Sequence, residues 1–135
     1  MVAARRRMLV SSGSPMEPEI GMSRAVRIGD MIAVAGTAPI LPGELAAFRG
    51  DVYRQTLLCL SIVKQAIEDA GASLDGVIRT RVMLTDISRW KEAARAHGEM
   101  FIEVRPACTF VQVGRFIHPE WLVEIEADCV APSPE

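Results

Sequence analysis

The stretch RPACTFVQVGRFIHPEWLVEIEADCV, residues 105–130, decides the fold. It reads as two extended runs joined by a turn at Ile117-His118-Pro119-Glu120, a hairpin-like closing pair. The second run alternates Val123, Ile125, Ala127 and Cys129 with Glu124, Glu126 and Asp128. Side chains alternate faces along a strand, so one face is apolar and the other carries three acids. Such a strand belongs to a sheet with one covered face.

Working upstream, the period changes. From Asp51 to Gly71, Val52, Thr56, Cys59, Leu60, Val63, Ala66, Ile67 and Ala70 recur at spacings of three and four, with Arg54, Gln55, Lys64 and Glu68 elsewhere. This predicts an amphipathic helix, capped by Asp51 and stopped by Gly71. GVIRTRVMLTD, residues 76–86, predicts a strand, and residues 88–103 a second helix with Trp90, Ala93, Ala94, His97, Phe101 and Val104 along one side. Two strands flank the turn dipeptide Gly29-Asp30, the second a small-apolar run (Met31 to Gly36) that suggests burial on both faces. A weaker extended piece follows up to Phe48, and residues 1–19 are expected to be irregular. The domain is then 20–131, with a tail at 132–135. Hairpin, helix, strand, helix and closing strand pair make an α+β two-layer sandwich, one mixed sheet with two helices on one face.

The acidic face has two explanations. Same-face positions lie about 6–7 Å apart along a strand, and no histidine or further aspartate is placed to complete a metal shell, so no metal and no cofactor are expected. Arg79 and Arg81 share a face of the preceding strand with the same two-residue step. A basic ladder beside an acidic one predicts cross-strand pairs for Glu126 and Asp128. Glu124, if partly desolvated, is then available for proton transfer. His97, on an apolar helix face, is expected to be hydrogen-bonded in the core or an interface, and His118 exposed in its turn. Cys59 is a core residue, and Cys108 is expected to be a small buried thiol.

Composition bounds the function. The 135-residue chain suits one domain, and its 50% hydrophobic content is a surplus that a small domain buries against a partner subunit. A net charge of −2, with Arg5-Arg6-Arg7 as the one basic run, argues against nucleic-acid binding. No window approaches the roughly 18 apolar residues of a membrane span. Three cysteines without a CxxC pair fit a reducing cytoplasm.

VRIGDMIAVAGTAPI, IVKQAIEDAGASLDGVIRTRVMLTDI, HGEMFIEVRPACTFVQV and LVEIEA, in this order from about Ile20 to Val130, resemble the RidA family, also called YjgF or L-PSP. The resemblance implies a chorismate-mutase-like fold, a homotrimer and small-ligand clefts at the subunit interfaces. It further implies hydrolysis of enamines and imines such as 2-aminoacrylate, with a glutamate assisting proton transfer and an arginine clamping the substrate carboxylate. Carried over, that glutamate is Glu124. The family's arginine directly after Pro-Ala is Cys108 here, followed by Thr109. The tyrosine before the first strand pair falls on Met22, the serine of the second strand on Ala35 before the retained Gly36, and the asparagine early in the second helix on Ala94. Met22, Ala35, Gly36, Cys108 and Thr109 are thus expected to bind ligand, with Arg24 and Arg105 as nearby cations. Losing a two-pronged clamp, at about 1.5–3 kcal/mol per charged hydrogen bond, predicts poor 2-aminoacrylate deamination. Two functions stay open: an imine or enamine hydrolase of altered specificity, and a non-catalytic module binding a metabolite or a protein.

Overall fold

The computed structural model describes residues 6–132. Six strands form one mixed sheet: β1 (Arg7–Val10), β2 (Ala25–Ile28), β3 (Met31–Thr37), β4 (Val77–Leu84), β5 (Ala107–Gln112) and β6 (Val123–Val130). Three helices accompany them: the short α1 (Met16–Ile20), then α2 (Val52–Asp69) and α3 (Trp90–Phe101). The strand order is β1-β2-β3-β6-β4-β5, with only β4 and β5 parallel. The α+β architecture with one mixed sheet is as expected.

The α2 stripe falls where its period places it: Val52, Thr56, Cys59, Leu60, Val63, Ala66, Ile67 and Ala70 are all buried. The Asp51 carboxylate accepts the Arg54 N–H at 2.9 Å, and Gly71 takes a φ of 87° beyond the end. This stripe packs on Ile32 and Val34 of β3, Val82 and Leu84 of β4, and Val123, Ile125 and Ala127 of β6. Phe101 joins them from α3. The helices cover one face of the sheet, and the other is open.

Several expectations are corrected. The closing strands are not a hairpin: β4 lies between β5 and β6, because β5 follows a β4–α3 crossover and pairs parallel to β4. The segment expected to be irregular holds β1, paired with β2, and α1; Arg5 lies outside the described residues, as does the tail beyond Pro132. Met31 to Thr37 is covered on one face only, with Met31 52% exposed, since none of the described residues lies over the open face. Between Leu41 and Phe48 there is a bridge from Leu41 to Glu44 rather than a strand. Trp90 is 42% exposed at the rim of α3, its ring edge-on to Phe110, while Ala96 is buried.

Gln55, placed outside the stripe by its period, is fully buried. Its amide donates to the carbonyls of Ala47 (3.1 Å) and Glu120 (3.0 Å) and accepts from the Leu122 N–H (2.9 Å). Two connecting segments, lacking a ladder of their own, are tied to α2 through this one side chain.

Candidate functional site

The three acids of β6 are sorted by their neighbours. Asp128 pairs in register with Arg79, with Oδ2 3.6 Å from Nε, and Glu126 pairs with Arg81. Both expected cross-strand pairs are present. Being largely exposed, each contributes modestly, about 0.2–1 kcal/mol. Glu124 stands opposite Met83 instead, so the ladder offers it no cation.

Its environment comes from the other side. Between Val34 and Thr37, three steps along β3 match two along β6, a bulge that sets Ala35 and Gly36 against Glu126. A Cβ on Gly36 would meet Glu124 Oε1 at 3.2 Å, so the small residue leaves room for the carboxylate. Ala35 donates its N–H to the Arg24 carbonyl at 3.0 Å, extending the β2–β3 ladder so that Arg24 and Ala35 are neighbours. Burial pushes the Glu124 carboxyl above its usual range, and the Arg24 charge opposes that shift. Burial likewise pulls Arg24 down, against the pull of Glu17 and Glu124. The Arg24 Nε is buried without a hydrogen-bond partner.

Glu17 completes this group. It is 5% exposed, and burial alone would raise its carboxyl. Hydrogen bonds from Ser12 and Ser11 outweigh that and hold it below the usual range, with Ser11 Oγ donating at 2.7 Å and the Ser12 N–H at 3.1 Å. Met22, at the end of α1, donates its N–H to the Glu17 carbonyl at 2.8 Å. Of the residues that the sequence singled out, Gly36 lies against Glu124, Ala35 neighbours Arg24, and Met22 is hydrogen-bonded to the backbone of Glu17. The sequence named Arg24 only as a nearby cation. Glu17 it missed, since nothing in a turn-rich segment signals which carboxylate will be buried.

Cys108 and Thr109 do not join them within one chain. Thr109 pairs in register with Arg81 on the open face, two strands from Glu124. Cys108 pairs with Thr80, which faces the helices. Cys108 is exposed rather than buried, on edge strand β5, which is exposed along most of its length. Arg105, also exposed, adopts a φ of 53° just before β5. His97 is buried, as expected, with Nε2 2.8 Å from Thr80 Oγ1, and His118 is half-exposed, stacked on Trp121. Ala94 is half-buried on α3.

A shallow cavity of about 190 Å³ on the open face is lined by Ala33, Arg79, Arg81, Glu126 and Asp128, not by Glu124. Among the described residues no group of three or more His, Cys, Asp or Glu is placed to hold a metal. Nor is any described helix long and apolar enough to cross a membrane.

Residues 12–131 match the family model described as Endoribonuclease L-PSP. This chain is a member of the RidA/YjgF/L-PSP family. An uncharacterized protein of Streptomyces coelicolor is 40% identical over 119 residues, 88% of either chain. The 3-aminoacrylate deaminase RutC of Acinetobacter baylyi is 31% identical, over 82% of this chain and 85% of that protein. Among solved structures, Rv2704 of Mycobacterium tuberculosis, from the YjgF/YER057c/UK114 family, superimposes with a TM-score of 0.84 at 43% identity, covering 93% of this chain and all (100%) of that one. Escherichia coli TdcF with bound serine gives a TM-score of 0.76 at 26% identity, covering 92% and 94%. RidA-family membership accounts for the order of strands and helices.

Proposed function

We propose that the protein hydrolyses imines or enamines other than 2-aminoacrylate, with Glu124 as general acid and base. The observation that carries this reading is the state of Glu124. It is the one acid of the β6 face outside the arginine ladder, half-buried, raised by that burial, and beside the space left by Gly36. A carboxyl raised toward neutrality exchanges protons more readily at working pH than an ordinary one. As carboxylate, Glu124 takes a proton from a water molecule while the oxygen adds to the C=N carbon. As carboxylic acid, it returns that proton to the nitrogen of the resulting carbinolamine. The carbinolamine hydroxyl proton then passes through Glu124 to the nitrogen as the C–N bond breaks, which leaves a carbonyl compound and ammonia.

Activity is a family property in RutC, a 3-aminoacrylate deaminase, and small-ligand binding is one in serine-bound TdcF. In one chain Glu124 and Cys108 belong to opposite faces of the sheet, which supports a cleft assembled between subunits, as in a homotrimer. Met22, Ala35 and Cys108 bring no charge to that cleft, so the substrate preference runs toward electrophiles without a small carboxylate. The same neutrality favours a second reading, a module that binds a metabolite without turnover.

The test is ammonia and carbonyl release from imines generated in situ, some derived from amino acids and some carboxylate-free, for wild type and Glu124→Gln. Turnover that disappears in the variant supports hydrolysis. A blank panel from folded wild-type oligomer overturns it in favour of binding.

A further inference from the structure

The geometry points to Cys108 as a nucleophile for small electrophiles, with His97 as its base and the Thr80 hydroxyl as the relay between them. Three elements build this line. The parallel β4–β5 register sets Cys108 beside Thr80, and register partners share a face. The fully buried Thr80 reaches α3, with Oγ1 2.8 Å from His97 Nε2. His97 is 8% exposed, its ring 4.7 Å from that of Phe101 and 6.2 Å from that of Phe110. An exposed thiol thus stands beside a hydroxyl that is hydrogen-bonded to a buried imidazole.

The exposure of Cys108 is unusual. Free cysteine is among the most buried residue types, and Cys59 and Cys129, both 0% exposed, follow that habit. Cys108 does not.

The protonation states suit a relay. Burial holds His97 below its ordinary range, so at neutral pH the imidazole is uncharged and, with its proton on Nδ1, Nε2 accepts. The side chains against it, Thr80 on β4, Phe110 on β5 and Phe101 on its own helix, carry no charge. The Thr80 hydroxyl has one proton to give and lone pairs to accept another. Partial burial raises the Cys108 thiol and the Thr80 hydroxyl opposes that. The group attacks as a thiol losing its proton during attack, not as a standing thiolate.

The step balances as an addition. The sulfur forms a bond to the carbon of a C=N or C=O group, and the π pair moves to nitrogen or oxygen. The S–H proton passes to Thr80 Oγ1 as the Thr80 proton passes to His97 Nε2. Reversal releases the electrophile unchanged.

This inference places Cys108 in the cleft of the proposed function, yet needs neither Glu124 nor a particular oligomer. Its test therefore uses iodoacetamide, where an S–C bond forms, iodide leaves and the proton follows the same route. Alkylation at each cysteine is followed by mass spectrometry from pH 5 to 8, with Cys59 and Cys129 as internal references. Wild-type Cys108 is expected to react about tenfold or more faster at pH 7 than in Thr80→Val. Its rate falls through a low-pH limb set by His97 that Thr80→Val lacks and Thr80→Ser restores. Equal rates and profiles in wild type and Thr80→Val overturn the relay. If Thr80→Val fails to fold, His97→Gln decides by the same comparison. Ammonia release is read on the same wild-type and Thr80→Val samples, so loss of one readout with the other intact separates failure here from failure of the hydrolase reading.

Discussion

Gly36 and Glu124 are matched: the bulge of β3 brings the glycine so close that any Cβ there would touch Oε1 of the carboxylate at 3.2 Å. The small residue is therefore a condition for the position of the acid. Gly36→Ala is expected to fold, since its φ is not positive and the neighbour is a side-chain tip that gives by a few tenths of an ångström. Misplacing the carboxylate that far should lower turnover roughly tenfold. Steady-state rates beside a thermal melt check both halves of the expectation.

Glu124 opposes folding when ionised. Its carboxyl is raised in the folded chain by burial, so the folded state binds the proton more tightly than the unfolded state does. The penalty is absent below the unfolded value, grows as pH rises through the window up to the folded value, and is complete above it. Glu124→Gln should accordingly be more stable than wild type at pH 7, with the advantage vanishing near pH 4. Urea unfolding at the two pH values measures this, and equal stability at pH 7 would contradict it.

Arg24 holds the Glu124 carboxyl lower than burial alone would. Arg24→Met should raise that carboxyl further. Where Glu124 acts as a base, the acidic limb of the pH–rate profile then moves to higher pH. A profile that keeps its acidic limb while only its height changes would show that Arg24 acts in some other way.

Gln55 is the structural counterpart. Gln55→Leu preserves volume but strands two carbonyls and an N–H that the amide now satisfies. Each buried polar group left unpaired costs about 1–3 kcal/mol, so a loss of roughly 3 kcal/mol or more in unfolding free energy is expected. Chemical denaturation with an unchanged m-value gives the number. A loss under about 1 kcal/mol would mean that water replaces the amide.

Gly76 tests the packing of β4 on β6. A Cβ there would fall 2.1 Å from the Val130 carbonyl oxygen, a backbone atom that cannot swing aside. Gly76→Ala should cost about 3 kcal/mol, the upper end for overpacking, or fail to fold. A near-wild-type melting temperature would refute the close approach.

The sequence by itself determined whatever repeats along the chain. The α2 stripe, the alternation of β6 and the Arg79/Arg81 ladder against Glu126 and Asp128 are legible because helical and strand periods are local properties. The period misassigned Gln55, because the walls around a side chain, not its place on the helix, decide whether a polar group is buried. Tertiary structure decided the rest. It inserted β4 between β5 and β6, set Arg24 near both Glu17 and Glu124, and placed Cys108 beside Thr80 and Thr80 against His97. Most of those neighbours are far apart in the chain. Strand order brings them together, and it follows from burying apolar area in three dimensions, which no local spacing records.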